Sequence, residues 1–211
     1  MFNKITALMM ATGFLATGCI SAQNANSSDI DSLANKYLAQ SYLPGPGQDL
    51  DRLKQDETQK VCSKYRNNPP EKLAKEILDR EQNNIKYPAS GKMMGDWKQG
   101  EKYFTALFRG AIGSFEPDRP GMDRGGNCYA CHAGDRKEVA FGNMGPSLSE
   151  YGKLRGHDDA IVKYTYEKIY NPQAFVACSN MPRLGHGGHL TPEKIADITA
   201  YLVSPESPLN K

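Results

Sequence analysis

Cys128-Tyr129-Ala130-Cys131-His132 sets two thiols three positions apart and puts an imidazole beside the second. Each thiol of such a pair can add across one vinyl group of a porphyrin, and the adjacent histidine then meets the iron from one face. A tetrahedral zinc site would need a second ligand pair, whereas the remaining cysteines, Cys19, Cys62 and Cys178, are isolated. A redox dithiol opens a helix behind a buried strand. Here Gly125-Gly126-Asn127 precedes the motif and no βαβ pattern surrounds it. The motif therefore predicts covalent haem c on Cys128 and Cys131 with His132 as an axial iron ligand. A second C-x-x-C-H is absent, so one haem per chain is expected.

The other iron face needs a ligand or stays open. A soft thioether there raises the reduction potential and suits electron transfer, whereas an open face admits small molecules. Met181, followed by Pro182 and separated from His132 by a predicted helix and a turn, has the room to wrap round to it. Met181 is the expected sixth ligand. Met144, beside Gly145-Pro146, reads as a packed apolar residue; His157, His186 and His189 compete with both methionines. His186 and His189 flank or sit in the glycine-rich stretch Gly185–Gly188 and read as solvated loop histidines, near enough to Met181 to replace it. Arg183 and Lys153 have the charge to meet haem propionates but read as surface charges.

The amino terminus fits the compartment in which such haem is attached. Lys4 makes a short positive start and Ile5–Ala16 an apolar run too short to span a bilayer, the form of an export signal over residues 1–22. Two cleavage readings stand. Leu15-Ala16-Thr17-Gly18-Cys19 resembles a lipobox, in which Cys19 becomes the lipidated first residue, although Ala16 stands where a larger aliphatic residue is usual. Ordinary cleavage after Ile20-Ser21-Ala22 is the other. Either way the destination is the periplasm, with a lipid anchor at Cys19 in the first case. Cys62 and Cys178 are then the two leftover thiols in an oxidising compartment, and pairing is expected.

Lys and Arg number 26 against 24 Asp and Glu, a net charge of +2 that drops to +1 when Lys4 leaves. With no basic run, nucleic acid is excluded as a partner. The elements that must position the motif read as mostly α. Residues 23–95 form a polar tether, broken at Leu43-Pro44-Gly45-Pro46-Gly47, and a helical extension. In that extension one short helix is expected within Asp49–Tyr65, and a second after Pro69-Pro70 with Leu73, Ile77 and Leu78 at helical spacing, ended by Asn83-Asn84. A haem domain follows over 96–205. Gly100 and Phe104 share one helical face, with Gly100 permitting close approach to a C-terminal helix. That last helix is capped by Thr191, starts at Pro192, carries Ile195, Ile198 and Leu202, and stops at Ser204-Pro205. Gly110–Gly126 is a long surface insertion, and Asp158–Tyr170 a further helix ended by Asn171-Pro172.

Gly100-x-x-x-Phe104, the C-x-x-C-H motif, Gly145-Pro146-x-Leu148, Met181-Pro182 and Leu190-Thr191-Pro192-Glu193 together resemble the class I cytochromes c. Two segments, Met94–Glu101 and Asn180–Gly185, are similar more closely to the SoxX family, monohaem subunits of the sulfur-oxidising SoxAX cytochrome. The resemblance covers about residues 60 to 205. It implies a class I cytochrome c-like helical domain in an L-cysteine S-thiosulfotransferase complex. In that complex a SoxA-type subunit holds the catalytic haem and couples thiosulfate oxidatively to a cysteine of the SoxYZ carrier. The SoxX-type subunit is not itself catalytic; it accepts the electrons through a His/Met haem, here His132 and Met181, and passes them to a small downstream cytochrome c. The long segment before Asp96, with Cys62, departs from the simpler family members. A free periplasmic electron carrier is the alternative, and a self-sufficient haem enzyme would need the iron face that Met181 fills.

Overall fold

A computed structural model describes residues 27–44, 50–106 and 124–211, and among these every regular element is helical. The signal segment with Cys19, part of the Pro/Gly break and nearly all of the Gly110–Gly126 insertion lie outside the described residues. Two compact units are distinguished, residues 1–43 and 44–211. The first contains α1, Ser27–Ser41. This corrects the reading of that stretch as a polar tether. Leu33, Ala34, Leu38 and Ala39 are good helix formers and Asp29 lies in the first turn, where negative charge meets the helix dipole favourably.

In the second unit, α4 (Trp97–Thr105) crosses α7 (Pro192–Val203) at backbone contact distance. A Cβ built on Gly100 would fall 1.9 Å from the Asp197 carbonyl oxygen, so only glycine fits the crossing. The start of α4 is fixed to the same helix: Gly95 N–H donates to Ala196 O at 3.0 Å, and Asp96 N–H to the Asp197 carboxylate at 2.7 Å. Asp96, where the haem domain was expected to begin, is the N-cap of α4. At the crossing Phe104 is fully buried, edge-on to Tyr129 and tilted against Tyr201, with ring centroids 5.0 and 5.2 Å away. α5 (Tyr151–Arg155) and α6 (Asp159–Tyr170, capped by Asp158) pack on α7, and the short α5 is an element the sequence reading missed.

The extension folds as α2 (Glu57–Lys64) and α3 (Glu71–Asn83). Where one helix was expected within Asp49–Tyr65, a short 3-10 turn at Asp51–Leu53 precedes a fresh start, because Asp56 and Gln59 form a reciprocal capping box at 2.8 and 2.9 Å. Both helices are tied to the segment after α6. Cys62 of α2 is disulfide-bonded to Cys178 across 116 positions, a closure worth about 4–5 kcal/mol in the chain-entropy view. Glu81 of α3, only 2% exposed, accepts from Thr58, from Asn171 Nδ2 at 2.7 Å and from Arg183 Nη1 at 3.3 Å. Arg183 also reaches Asp56 Oδ2 at 2.5 Å, and Arg80 donates to Thr58 Oγ1 at 2.7 Å.

Burial pushes the Glu81 carboxyl up, but hydrogen bonds from Thr58 and Asn171 and the charges of Arg183 and His186 outweigh it, and its pKa ends below the usual carboxylate range. Asp56 ends low in the same way: burial is opposed by the Gln59 N–H and by Arg183.

Two predictions follow from these contacts. Gly100→Ala gains helix propensity but forces a methyl group into the α7 backbone, so it is expected to lower unfolding stability by about 1–3 kcal/mol, read by chemical denaturation. For Glu81 and Asp56 the folded pKa is depressed. Their contribution is therefore complete above the ordinary carboxylate value of ~4 and is lost as pH falls through the folded values. Denaturation curves are expected to weaken steeply on that acid limb in the wild type and less so in Glu81→Gln.

Candidate haem site

The motif lies on a tight loop locked to its neighbours by backbone hydrogen bonds. Asn127 takes a left-handed conformation (φ 45°), which asparagine tolerates better than most residues, and a 3-10 turn over Cys128–Ala130 follows. Cys131 and His132 N–H groups both return to Cys128 O, at 3.1 and 2.9 Å. The turn brings Cys128 and Cys131 into half-buried positions, neither of them in the disulfide. Tyr129, between them, is the ring set edge-on to Phe104, and its hydroxyl accepts from Asp135 N–H at 3.0 Å. The motif is thus anchored to the α4–α7 crossing.

The following loop wraps round the histidine. Gly142 N–H donates to Tyr129 O, Gly145 N–H to Cys131 O and Leu148 N–H to Ala133 O, each at 2.8 Å. His132 Nδ1 lies 2.8 Å from Pro146 O. A carbonyl can only accept, so Nδ1 carries the proton and Nε2 keeps its lone pair, the tautomer an iron ligand needs. The ring also packs on Gly145, where a Cβ would fall 2.2 Å from it. Gly145-Pro146 was legible as a family segment, but its work, orienting the histidine, was not. Two thiols at thioether spacing and an imidazole with a fixed, available nitrogen fit a covalently held haem.

Among the candidates for the other ligand, the structure separates the two methionines. Met181 is half-buried and packs on the core cluster that also takes in Cys128, Tyr129, Leu148 and Leu184. Met144 is 82% exposed, which corrects the reading of it as packed: the Gly142–Gly145 loop turns its backbone, not this side chain, toward the motif. His157 is exposed. His186 and His189 are not the solvated residues expected. His189 Nε2 donates to Gly125 O at 3.0 Å, and His186 lies 3.6 and 3.7 Å from the Asp56 and Glu81 carboxylates. Arg183, read as a surface charge, is 11% exposed because α2 and α3 supply its partners. Lys153 is a surface charge, paired with Glu150 at 2.7 Å. Glu81 was overlooked in the sequence although it carried a signal: it follows Leu73 and Ile77 at four-residue steps, a carboxylate in phase with a buried stripe.

The comparisons agree with this geometry. The cytochrome c family model matches residues 122–205, from just before the motif to the end of α7. An uncharacterized lipoprotein of Aquifex aeolicus (strain VF5) is 45% identical over 164 residues, 74% of this chain and 73% of that protein. Cytochrome c6 of Limnospira maxima is 37% identical over 78 residues, 36% of this chain and 79% of that protein. The chain belongs to the cytochrome c family, and its cofactor is a covalently attached haem c.

Proposed function

We propose that this chain is the electron-accepting monohaem subunit of a SoxAX-type complex, with thioethers at Cys128 and Cys131 and the iron between His132 and Met181. The observation that carries the electron-transfer reading is the state of the donors. His132 presents Nε2 because Pro146 holds Nδ1, and Met181 offers a thioether from within the core while Met144 points to solvent. Haem held by Cys128, Cys131, His132 and Met181 would supply a one-electron ferric/ferrous couple. Phe104, Tyr129 and Leu184 belong to the buried cluster against which Cys128 and Met181 pack. With His132 and Met181 both given to the iron, thiosulfate would find no metal position here, and the chain would serve as a relay.

The Met94–Glu101 and Asn180–Gly185 segments support the SoxX assignment. In that setting the carrier thiol and thiosulfate lose one proton and two electrons as their sulfur–sulfur bond forms. The one-electron couple held by this chain would take these singly, or share them with the SoxA-type partner, for delivery to a small downstream cytochrome c. Export to the periplasm is supported by residues 1–22, by the site at which haem c is attached, and, for the lipid anchor at Cys19, by the lipoprotein name of the Aquifex relative. Free diffusion as a periplasmic carrier is the competing reading; the 78-residue likeness to cytochrome c6 is compatible with both.

Two measurements test this. Met181→Ala is expected to abolish the weak far-red methionine–ferric iron band and to lower the midpoint potential, with Met144→Ala leaving both as in wild type; the reverse pattern refutes the ligand assignment. The purified holoprotein is expected to show no thiosulfate-dependent reduction until a SoxA-type subunit and the SoxYZ carrier are supplied. Full activity of the isolated chain marks an independent enzyme, and undiminished activity of the complex without it marks a free carrier.

A further inference from the structure

Cys178-Ser179-Asn180-Met181-Pro182-Arg183 is fastened at one end to α2 and at the other to the cap of α2 and to α3, and neither helix belongs to the matched cytochrome segment. Three positions before Met181, Cys178 is bonded to Cys62 of α2. Two positions after it, Arg183 is paired with Asp56, the N-cap of α2, at 2.5 Å and with Glu81 of α3 at 3.3 Å. On the far side, Gly185 N–H donates to Tyr170 O at 3.0 Å, and Asn171, the next residue, gives its side-chain amide to Glu81. The carboxylates of Asp56 and Glu81 also engage His186, an imidazole of the same loop.

Taking Met181 as the sixth ligand, we propose that α2 and α3 form a clamp on the Met181 loop, with Glu81 and Arg183 as positioning residues and Cys62–Cys178 as the second fastening. The clamp holds the thioether in place against competing ligands. A thioether is a weak donor for ferric iron, so its retention depends on how much freedom the loop regains when it leaves. Six residues pinned near both ends regain little. The pins are strong for a physical reason: Glu81 and Arg183 are nearly excluded from water, and removing one member of such a pair strands the other's charge. Cys178 itself sits at φ 58°, a conformation that costs a non-glycine residue energy and that the surrounding bonds maintain.

The test is imidazole titration of the ferric, haem-attached holoprotein, following loss of the methionine–iron band. Glu81→Gln and the Cys62→Ser/Cys178→Ser pair are each expected to bind imidazole at least tenfold more tightly than wild type. Val203→Ala, buried in α7 far along the chain from the loop, serves as the control for general destabilisation and is expected to change affinity less than twofold at an equal loss of denaturant stability. If Glu81→Gln yields no folded holoprotein, Asp56→Asn removes the half-exposed partner of Arg183 and reads the same quantity. Wild-type imidazole affinity in the clamp variants, or an equal rise in Val203→Ala, overturns the inference. Met181→Ala in the same series keeps the two readings apart. If it leaves the band intact, the ligand assignment fails and the clamp with it; if it abolishes the band while the clamp variants behave as wild type, the clamp alone fails.

Discussion

The placement of the site depends on one close approach, the Asp197 carbonyl against the Cα of Gly100. At that distance no side chain fits between α4 and α7, and the crossing brings Phe104 into contact with Tyr201 on one side and Tyr129 on the other. Tyr129 is the second residue of the C-x-x-C-H motif, so the position of the motif is an extension of the crossing. A larger residue at position 100 would push α4 outward, and the ring that seats the motif would go with it. The aromatic trio converts a backbone contact into the location of two thiols and an imidazole.

The second constraint is electrostatic and of a different kind. Glu81 is a carboxylate at 2% exposure, a placement that costs several kcal/mol unless every lone pair is occupied. Thr58, Asn171 and Arg183 occupy them, and the three come from α2, from the end of α6 and from the loop after Met181. Such an arrangement adds little net stability compared with an apolar equivalent, but it tolerates no other relative placement of those three segments. A network of this type is suited to fixing geometry. The disulfide between Cys62 and Cys178 acts on the same pair of segments by a covalent route, so two unrelated interactions enforce one juxtaposition.

Local chemistry was legible in the sequence, and long-range chemistry was not. The haem motif, the Thr191-Pro192 start of α7, the Asp158 cap of α6 and the role of Gly100 all rest on residues whose meaning is set within a turn or two of the chain. The capping box at Asp56–Gln59 is equally local, set by an acceptor and an amide three positions apart. α1 has a polar composition that resembles a tether, although its propensities favour a helix. Arg183 and His186 could not have been placed, since their partners lie more than 100 positions earlier and nothing local distinguishes a paired loop arginine from a solvated one. The packing difference between Met181 and Met144 has the same origin: it depends on which loop the core receives.

That division runs through the site itself. Apart from the aromatic contact of Tyr129 with Phe104, the loop round His132 is held by contacts between residues 127 and 149, with the His132–Pro146 bond spanning 14 positions. The Met181 loop is held by contacts such as Arg183–Asp56, which spans 127. Closing a long loop costs more entropy than closing a short one, and must be met before its contacts contribute. The thiols and the imidazole are therefore arranged largely by contacts within a short stretch of chain, whereas the placement of the Met181 loop depends on α2 and α3, more than a hundred positions earlier.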